Sequence, residues 1–352
     1  LEGVLLITVI CAGFVFALLN GFHDGCNIIA AVLSSRTAGT GRVLLLVCAA
    51  EFVGALILGT AVAATVGKQI VNPQWLDSTQ GLMKVLIVLS ALLSAILLHL
   101  LTSWAGSPAS TFHGLVGGLV GAGMAAFGAG IVNWQGLLFS VILVLLLSPL
   151  VAAGAGFLSM SISGYLLRGD MSRVNGFPRW VQLISMLFLG ASHGANDAQK
   201  CMGVIGLALV FSGSLSAFEV PHWLIPASAG TLVLGTFAGG LLVIRTLGDK
   251  VFRVNPVQSL NAQLCAASVI FGANLLGGPV STTQVIGASI EGVGAAGRSS
   301  TMQRLIRKEM VVAWLVVLPG SAALSSTLFW IASGSLGQGM GTFHQLMRLF
   351  LG

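Results

Sequence analysis

Charge is what this sequence has least of: Asp, Glu, Lys and Arg make up 7% of its 352 residues, where a soluble domain carries about 25%. With 56% apolar residues and a mean hydropathy of +0.98, that scarcity excludes a soluble globular protein. The five cysteines, Cys11, Cys26, Cys48, Cys201 and Cys265, are odd in number and lack CxxC or His/Cys spacing. A disulfide framework or a cysteine metal cluster is therefore not expected. Sixteen Lys and Arg give a formal charge of +6, but they sit in short loops without interleaved aromatics, so no nucleic-acid partner is expected. No basic n-region with a small-residue cleavage site marks the first apolar stretch, which is expected to be a span.

What the chain does have is long apolar runs, as in Val43–Val66 and Leu82–Leu101. Each is long enough to cross ~30 Å of hydrocarbon as a helix, which makes this an all-α polytopic membrane protein in a lipid bilayer. The 47 glycines suit it, because small residues let helix backbones approach closely, and Gly114/Gly118 and Gly235/Gly239 have that spacing. Twelve of the sixteen basic residues fall in four loops, around Arg36/Arg42, Arg168–Arg179, Arg245–Arg253 and Arg298–Lys308. Those loops are expected to be cytoplasmic, and the connections near 67–80, 131–135, 213–222 and 334–342 to face outward. The two half-chains then run with opposite orientation, a first repeat over 1–167 and a second over 180–352, joined by a basic cytoplasmic linker over 168–179. Inverted repeats of this kind place a transport site near the midplane.

The halves also share motifs. Gly21-Phe22-His23-Asp24-Gly25-Cys26-Asn27 aligns without a gap with Gly194-Ala195-Asn196-Asp197-Ala198-Gln199-Lys200, and the aspartate is kept in both copies. Gly106-Ser107-Pro108-Ala109-Ser110-Thr111-Phe112-His113 aligns with Gly277-Gly278-Pro279-Val280-Ser281-Thr282-Thr283-Gln284 at nearly the same offset, keeping the proline and the Ser-Thr pair. A lone intramembrane carboxylate costs at least ~2.5 kcal/mol, so Asp24 and Asp197 each need a partner, a cation or a proton. Caps or pairs with His23 and Lys200 are the structural alternative. The adjoining glycines permit helix breaks there. The Pro-x-Ser-Thr segments precede apolar stretches too short for two crossings, which suggests re-entrant hairpins. Ser and Thr at the start of their helices, beside free N–H groups, suit an oxyanion, or else merely bond the preceding turn. His23, His193 and His113 adjoin the motifs and suit proton relay or donation to an oxyanion, or else equally a helix-packing imidazole, while His99, His222 and His344 read as structural. Glu51 and Glu291 are second-tier coupling candidates, as are His113 and Gln284. Gly190-Ala191-Ser192-His193-Gly194 fits a serine-nucleophile pattern without a preceding strand, and Gly292–Gly297 fits a dinucleotide fingerprint without a βαβ unit. Both are set aside.

At Asn20–Asn27 and Ser192–Lys200 the sequence closely resembles the inorganic phosphate transporter (PiT) family in its bacterial low-affinity form, and both Pro-x-Ser-Thr motifs match as well. The resemblance implies two inverted-topology repeats with broken helices and two re-entrant hairpins. It also implies cation-driven phosphate uptake by alternating access, a multi-pass location in a bacterial inner membrane, and a homodimer. Position by position it implies phosphate binding by Ser110, Thr111, Ser281, Thr282, Thr283, Asn27 and Asn196, and Lys200 joins that set as a fixed positive charge beside them. Coupling falls to Asp24, Asp197, His23 and His193, the aspartates being metal ligands if sodium drives. His23 stands where many members have Asn, and Lys200 where the first copy has Asn27. Those departures favour proton coupling or a divalent metal travelling with phosphate, with sodium as the alternative. No cofactor or enzymatic activity is expected. A sulfate permease, a passive anion channel and an intramembrane hydrolase built on Ser192 with His113 or His193, or on the two aspartates as a dyad, are the competing readings.

Overall fold

The computed structural model describes residues 2–33, 39–75, 81–104, 110–166, 179–247, 256–296 and 312–351, and among them the chain is helical apart from short connections. The first half contributes α1 (Glu2–Leu33), α2 (Thr40–Ile57), α3 (Ala61–Gln69), α4 (Gly81–Trp104), α5 (Thr111–Phe127) and α6 (Trp134–Leu166). The second contributes α7 (Arg179–Phe211), α8 (Leu224–Leu247), α9 (Pro256–Leu275), α10 (Thr282–Ala296) and α11 (Leu318–Leu351), the last preceded by a π-helical turn over Ala313–Val317. A matching π-helical turn, Leu137–Ile142, lies near the start of α6. Six helical stretches are long and apolar enough to cross a membrane. Large apolar side chains such as Ile7, Leu45, Ile57, Phe139, Leu150, Leu234 and Trp330 are exposed on them, as a lipid-facing perimeter requires.

Three expectations change. The run Val43–Val66 is not one span: α2 ends at Ile57, Gly59 has φ +82, and α3 restarts at Ala61. A left-handed residue ends the helix, and glycine adopts it without steric cost. The connection expected near 334–342 lies inside α11. The expected helix breaks at 21–27 and 194–200 are also absent, for α1 and α7 run unbroken through both aspartate motifs.

The motif glycines serve helix crossings instead. A Cβ at Gly21 would lie 2.0 Å from the carbonyl oxygen of Leu232, and one at Gly235 would lie 2.1 Å from that of Leu18, so α1 and α8 touch backbone to backbone. The α7–α2 crossing has the same form, with a Cβ at Gly194 falling 2.3 Å from the Glu51 carbonyl and one at Gly54 2.1 Å from that of Ala191. Gly21 and Gly194 are the first residues of the two aligned aspartate motifs, and Leu18 and Ala191 each precede them by one helical turn. One crossing thus occurs twice, each half lending a helix to the other. Elsewhere α5 packs on α11 and α10 on α6, with Gly121 against the Ala322 carbonyl and Gly292 against that of Ala153. Close approach of this sort is what drives helix association where lipid supplies no hydrophobic force. From Gly190 onward nearly all of α7 is buried, with α1, α2, α3, α8 and α9 packed on it. Its polar residues are therefore held away from lipid.

Candidate functional site

The site forms where α1, α2 and α7 meet the start of α10. Glu51 on α2 and His193 on α7 are both fully buried, and His193 Nδ1 lies 2.9 Å from Glu51 Oε1. The other ring nitrogen, Nε2, is 3.0 Å from Asp197 Oδ2, one helical turn on. Lys200 completes the row, donating from Nζ to Asp197 Oδ1 at 2.5 Å, and its ammonium stands 5.3 Å from the centroid of the Phe112 ring on α5. An imidazole with a carboxylate at each nitrogen donates to both only as the imidazolium. Buried carboxylates and bases are costly alone and tolerable in such a row, because each charge has an opposite neighbour.

Asp24 approaches from α1. The Thr283 hydroxyl donates to its Oδ1 at 2.5 Å, and the Thr282 hydroxyl lies 3.3 Å from its Oδ2. The same Thr282 oxygen is 3.1 Å from Asp197 Oδ2, so one hydroxyl stands between the carboxylates of the two motifs. An oxygen from each aspartate and a ring nitrogen of His193 all lie within 4.8 Å of one another, a donor set of the kind that holds a cation. Carboxylate oxygens suit a hard cation, whereas the neighbouring threonines at a helix start suit an anion.

Asn196 faces the other way and ties α7 to the segment before α10. Its Nδ2 donates to Asn274 Oδ1 at 2.6 Å and to the Gly278 carbonyl at 3.2 Å, and its Oδ1 accepts from the Val280 N–H at 3.3 Å. The equivalent place in the first half has His23, whose Nε2 is 2.8 Å from Ser103 Oγ and whose ring packs edge-on against His99 at 4.3 Å. Asn274 and Ser103 correspond in turn, each standing five positions before the proline of its Pro-x-Ser-Thr motif. Thr111, the counterpart of Thr282, donates to Asn20 rather than to an aspartate.

Of the sequence-derived candidates, Asp24, Asp197, His193, Lys200, Thr282, Thr283 and Glu51 converge. Lys200, expected among the phosphate ligands, binds Asp197. Ser110 is the N-cap residue of α5, and Ser281 immediately precedes α10. His113 is fully buried with its ring edge-on to Trp314 at 4.8 Å, and neither it nor buried Gln284 has a hydrogen-bond partner among the described residues. Glu291 lies farther along α10 and is not in the cluster. The side chain of Asn27 and residues 105–109, the start of the first Pro-x-Ser-Thr motif, lie outside the described residues.

Gln199 has a role that sequence reasoning does not assign. Its Oε1 accepts from the N–H groups of Val62 at 2.8 Å and Ala63 at 3.3 Å, so α7 supplies the cap that Thr60 does not give α3. Gln199→Leu leaves these buried donors unpaired, at a cost of about 1–3 kcal/mol. The expected result is a lower melting temperature of the detergent-solubilised protein, checked by a thermal unfolding scan. An unchanged melting temperature would mean that the cap contributes nothing.

Buried carboxylates and bases gathered among membrane helices, beside a helix start with two threonines, are the kind of site that a membrane transporter holds. Comparison with known proteins narrows the class. The sequence profile of the Phosphate transporter family matches residues 20–174 and again 167–325. A protein of Bacillus subtilis (strain 168) named "Probable low-affinity inorganic phosphate transporter" is 37% identical over 328 residues, covering 93% of this chain and 96% of its own length. One of the same name from Rhizobium meliloti (strain 1021) is 34% identical over 329 residues, with 93% of this chain and 96% of that protein covered. Among solved structures, one named "The sodium-dependent phosphate transporter" superposes with a TM-score of 0.79 at 24% identity, covering 94% of this chain and 99% of that one. The chain belongs to the phosphate transporter family.

Proposed function

We propose that the protein imports inorganic phosphate against its gradient by coupling it to an inward cation gradient, with protons as the coupling ion. The observation that carries this reading is Thr282, whose hydroxyl stands between Asp24 of one half and Asp197 of the other at the start of a helix. A phosphate at that helix start would meet free N–H groups and hydroxyls, and the carboxylates beside it would hold the cation whose charge offsets its own. Dihydrogen phosphate and hydrogen phosphate also carry a proton to donate to a carboxylate, which sulfate lacks. The phosphate transporter names of the bacterial relatives support the cargo. Sodium is the second reading of the coupling ion, favoured by the sodium dependence in the name of the solved neighbour.

The recurrence of the α1–α8 crossing as α7–α2 supports two inverted-topology repeats over 1–167 and 180–352 with a midplane site between them. Short α5 and α10, each following a longer helix and beginning at a Ser-Thr pair, support two re-entrant hairpins whose rocking gives alternating access. On this reading the protein works in the inner membrane of a bacterium, as a homodimer. The test is radiolabelled phosphate uptake into proteoliposomes under an inward proton or an inward sodium gradient, each with and without Mg²⁺. Accumulation with protons alone is expected. Accumulation only with sodium would replace the coupling ion, and displacement of phosphate by equimolar sulfate would overturn the cargo.

A further inference from the structure

The two aspartates are equivalent by position and unequal in surroundings. Around Asp197 stand the Lys200 ammonium at 2.5 Å, His193 Nε2 at 3.0 Å and the Thr282 hydroxyl at 3.1 Å. Asp24 is bonded by hydroxyls, those of Thr283 at 2.5 Å and Thr282 at 3.3 Å, and among the described residues no basic side chain bonds it. Two exchanges produce the difference. In the aligned aspartate motifs Lys200 takes the place of Asn27, and in the aligned Pro-x-Ser-Thr motifs Phe112 takes the place of Thr283. They act together: Phe112 of the first half offers a ring face to the Lys200 ammonium at 5.3 Å, at the position where Thr283 of the second half bonds Asp24 of the first through its hydroxyl. Asparagine and threonine offer oxygens to a hard inorganic cation, whereas a lysine and an aromatic face bring a cation already attached and a surface that stabilises it. Lys200 is also only 1% exposed, so its pair with Asp197 lies inside the protein, unlike a surface i,i+3 pair.

We infer that Lys200, seated on Phe112, is a tethered substitute for an inorganic monovalent cation at Asp197, so that Asp24 is the one carboxylate of the pair left to take an exchangeable cation. This deepens the proposed coupling site and rests on that reading, but its test counts cations and does not depend on the cargo. Purified wild type and the double variant Lys200→Asn/Phe112→Thr, which carries the other half's residues at both positions, would be titrated with ²²Na⁺ by equilibrium dialysis in choline buffer. The double variant is expected to bind one more sodium per chain than wild type. An equal count in a variant that is monodisperse and melts cooperatively would overturn the inference. Should the double variant not fold, Lys200→Ala provides the second readout. Sodium or methylammonium, but not choline, is expected to raise its melting temperature by about 5 °C while leaving wild type less affected. No recovery by either ion would count against a cation position there. Loss of phosphate uptake in wild type would overturn the transport reading alone.

Discussion

Asp24→Asn will abolish gradient-driven phosphate accumulation while the protein still folds, and Asp197→Asn will fail earlier, at folding. The difference follows from what each carboxylate touches. Asp24 is bonded by hydroxyls, which tolerate an amide in its place, so the neutral variant loses only the charge that would hold the cation. On the proposed reading that charge meets the cation directly, and losing it should cost about 2 kcal/mol or more, about 30-fold in cation affinity, so uptake against a gradient should fall to background. Asp197 faces the Lys200 ammonium and His193, both buried. Its removal leaves Lys200 without its counter-ion in the interior, and that penalty of about 3–5 kcal/mol falls on stability. Asp197→Asn/Lys200→Met removes the pair together and should recover most of the lost melting temperature without recovering transport. Thermal scans and proteoliposome uptake on the three variants read the two effects separately. A folded, actively accumulating Asp24→Asn protein would remove Asp24 from coupling.

The aspartates are legible in the sequence because an intramembrane carboxylate is expensive and this one occurs twice in matching motifs. Thr282 and Thr283 are legible through their own repeated motif. Glu51 is visible as a lone acid in an apolar run, but its partner His193 lies on a different helix, far away in the chain. No local pattern encodes that distance. Helix breaks are wrongly expected at the motifs because glycines beside a polar residue look alike whether they unwind a helix or let another cross it. The separating clue is a second pair of glycines, Gly54 and Gly235, one in each half and outside both motifs. Hydropathy is blind to the end of α2 at Ile57, since Gly59 interrupts Val43–Val66 without lowering its apolar character. Gln199 and Asn274 act on the backbone of other helices, and nothing in their immediate sequence names the carbonyl or N–H they satisfy.

Those crossings carry the other large expected effect. Gly54→Ala places a methyl 2.1 Å from the Ala191 carbonyl oxygen and 2.6 Å from its carbonyl carbon and Cα, all backbone atoms that no rotamer change can move. Helices α2 and α7 must then separate, and overpacking of this kind costs typically ~1–3 kcal/mol. Gly235→Ala meets the Leu18 carbonyl at 2.1 Å and should cost a similar amount at the α8–α1 crossing. Gly154→Ala, on a helix face with nothing within 4 Å of the new methyl, is the control and should leave the melting temperature unchanged or slightly raised. The two crossing variants should nevertheless differ in transport. Glu51 sits one turn before Gly54, and His193 closely follows Ala191, so prising α2 from α7 stretches the 2.9 Å Glu51–His193 contact directly. No ion pair of the row spans the α8–α1 crossing. Among molecules that remain folded, Gly54→Ala should therefore lose more uptake than Gly235→Ala. Combining Gly54→Ala with Glu51→Gln should add little further loss, since both disable the same contact. Full additivity in that double variant would mean that the glycine crossing and the buried row act independently.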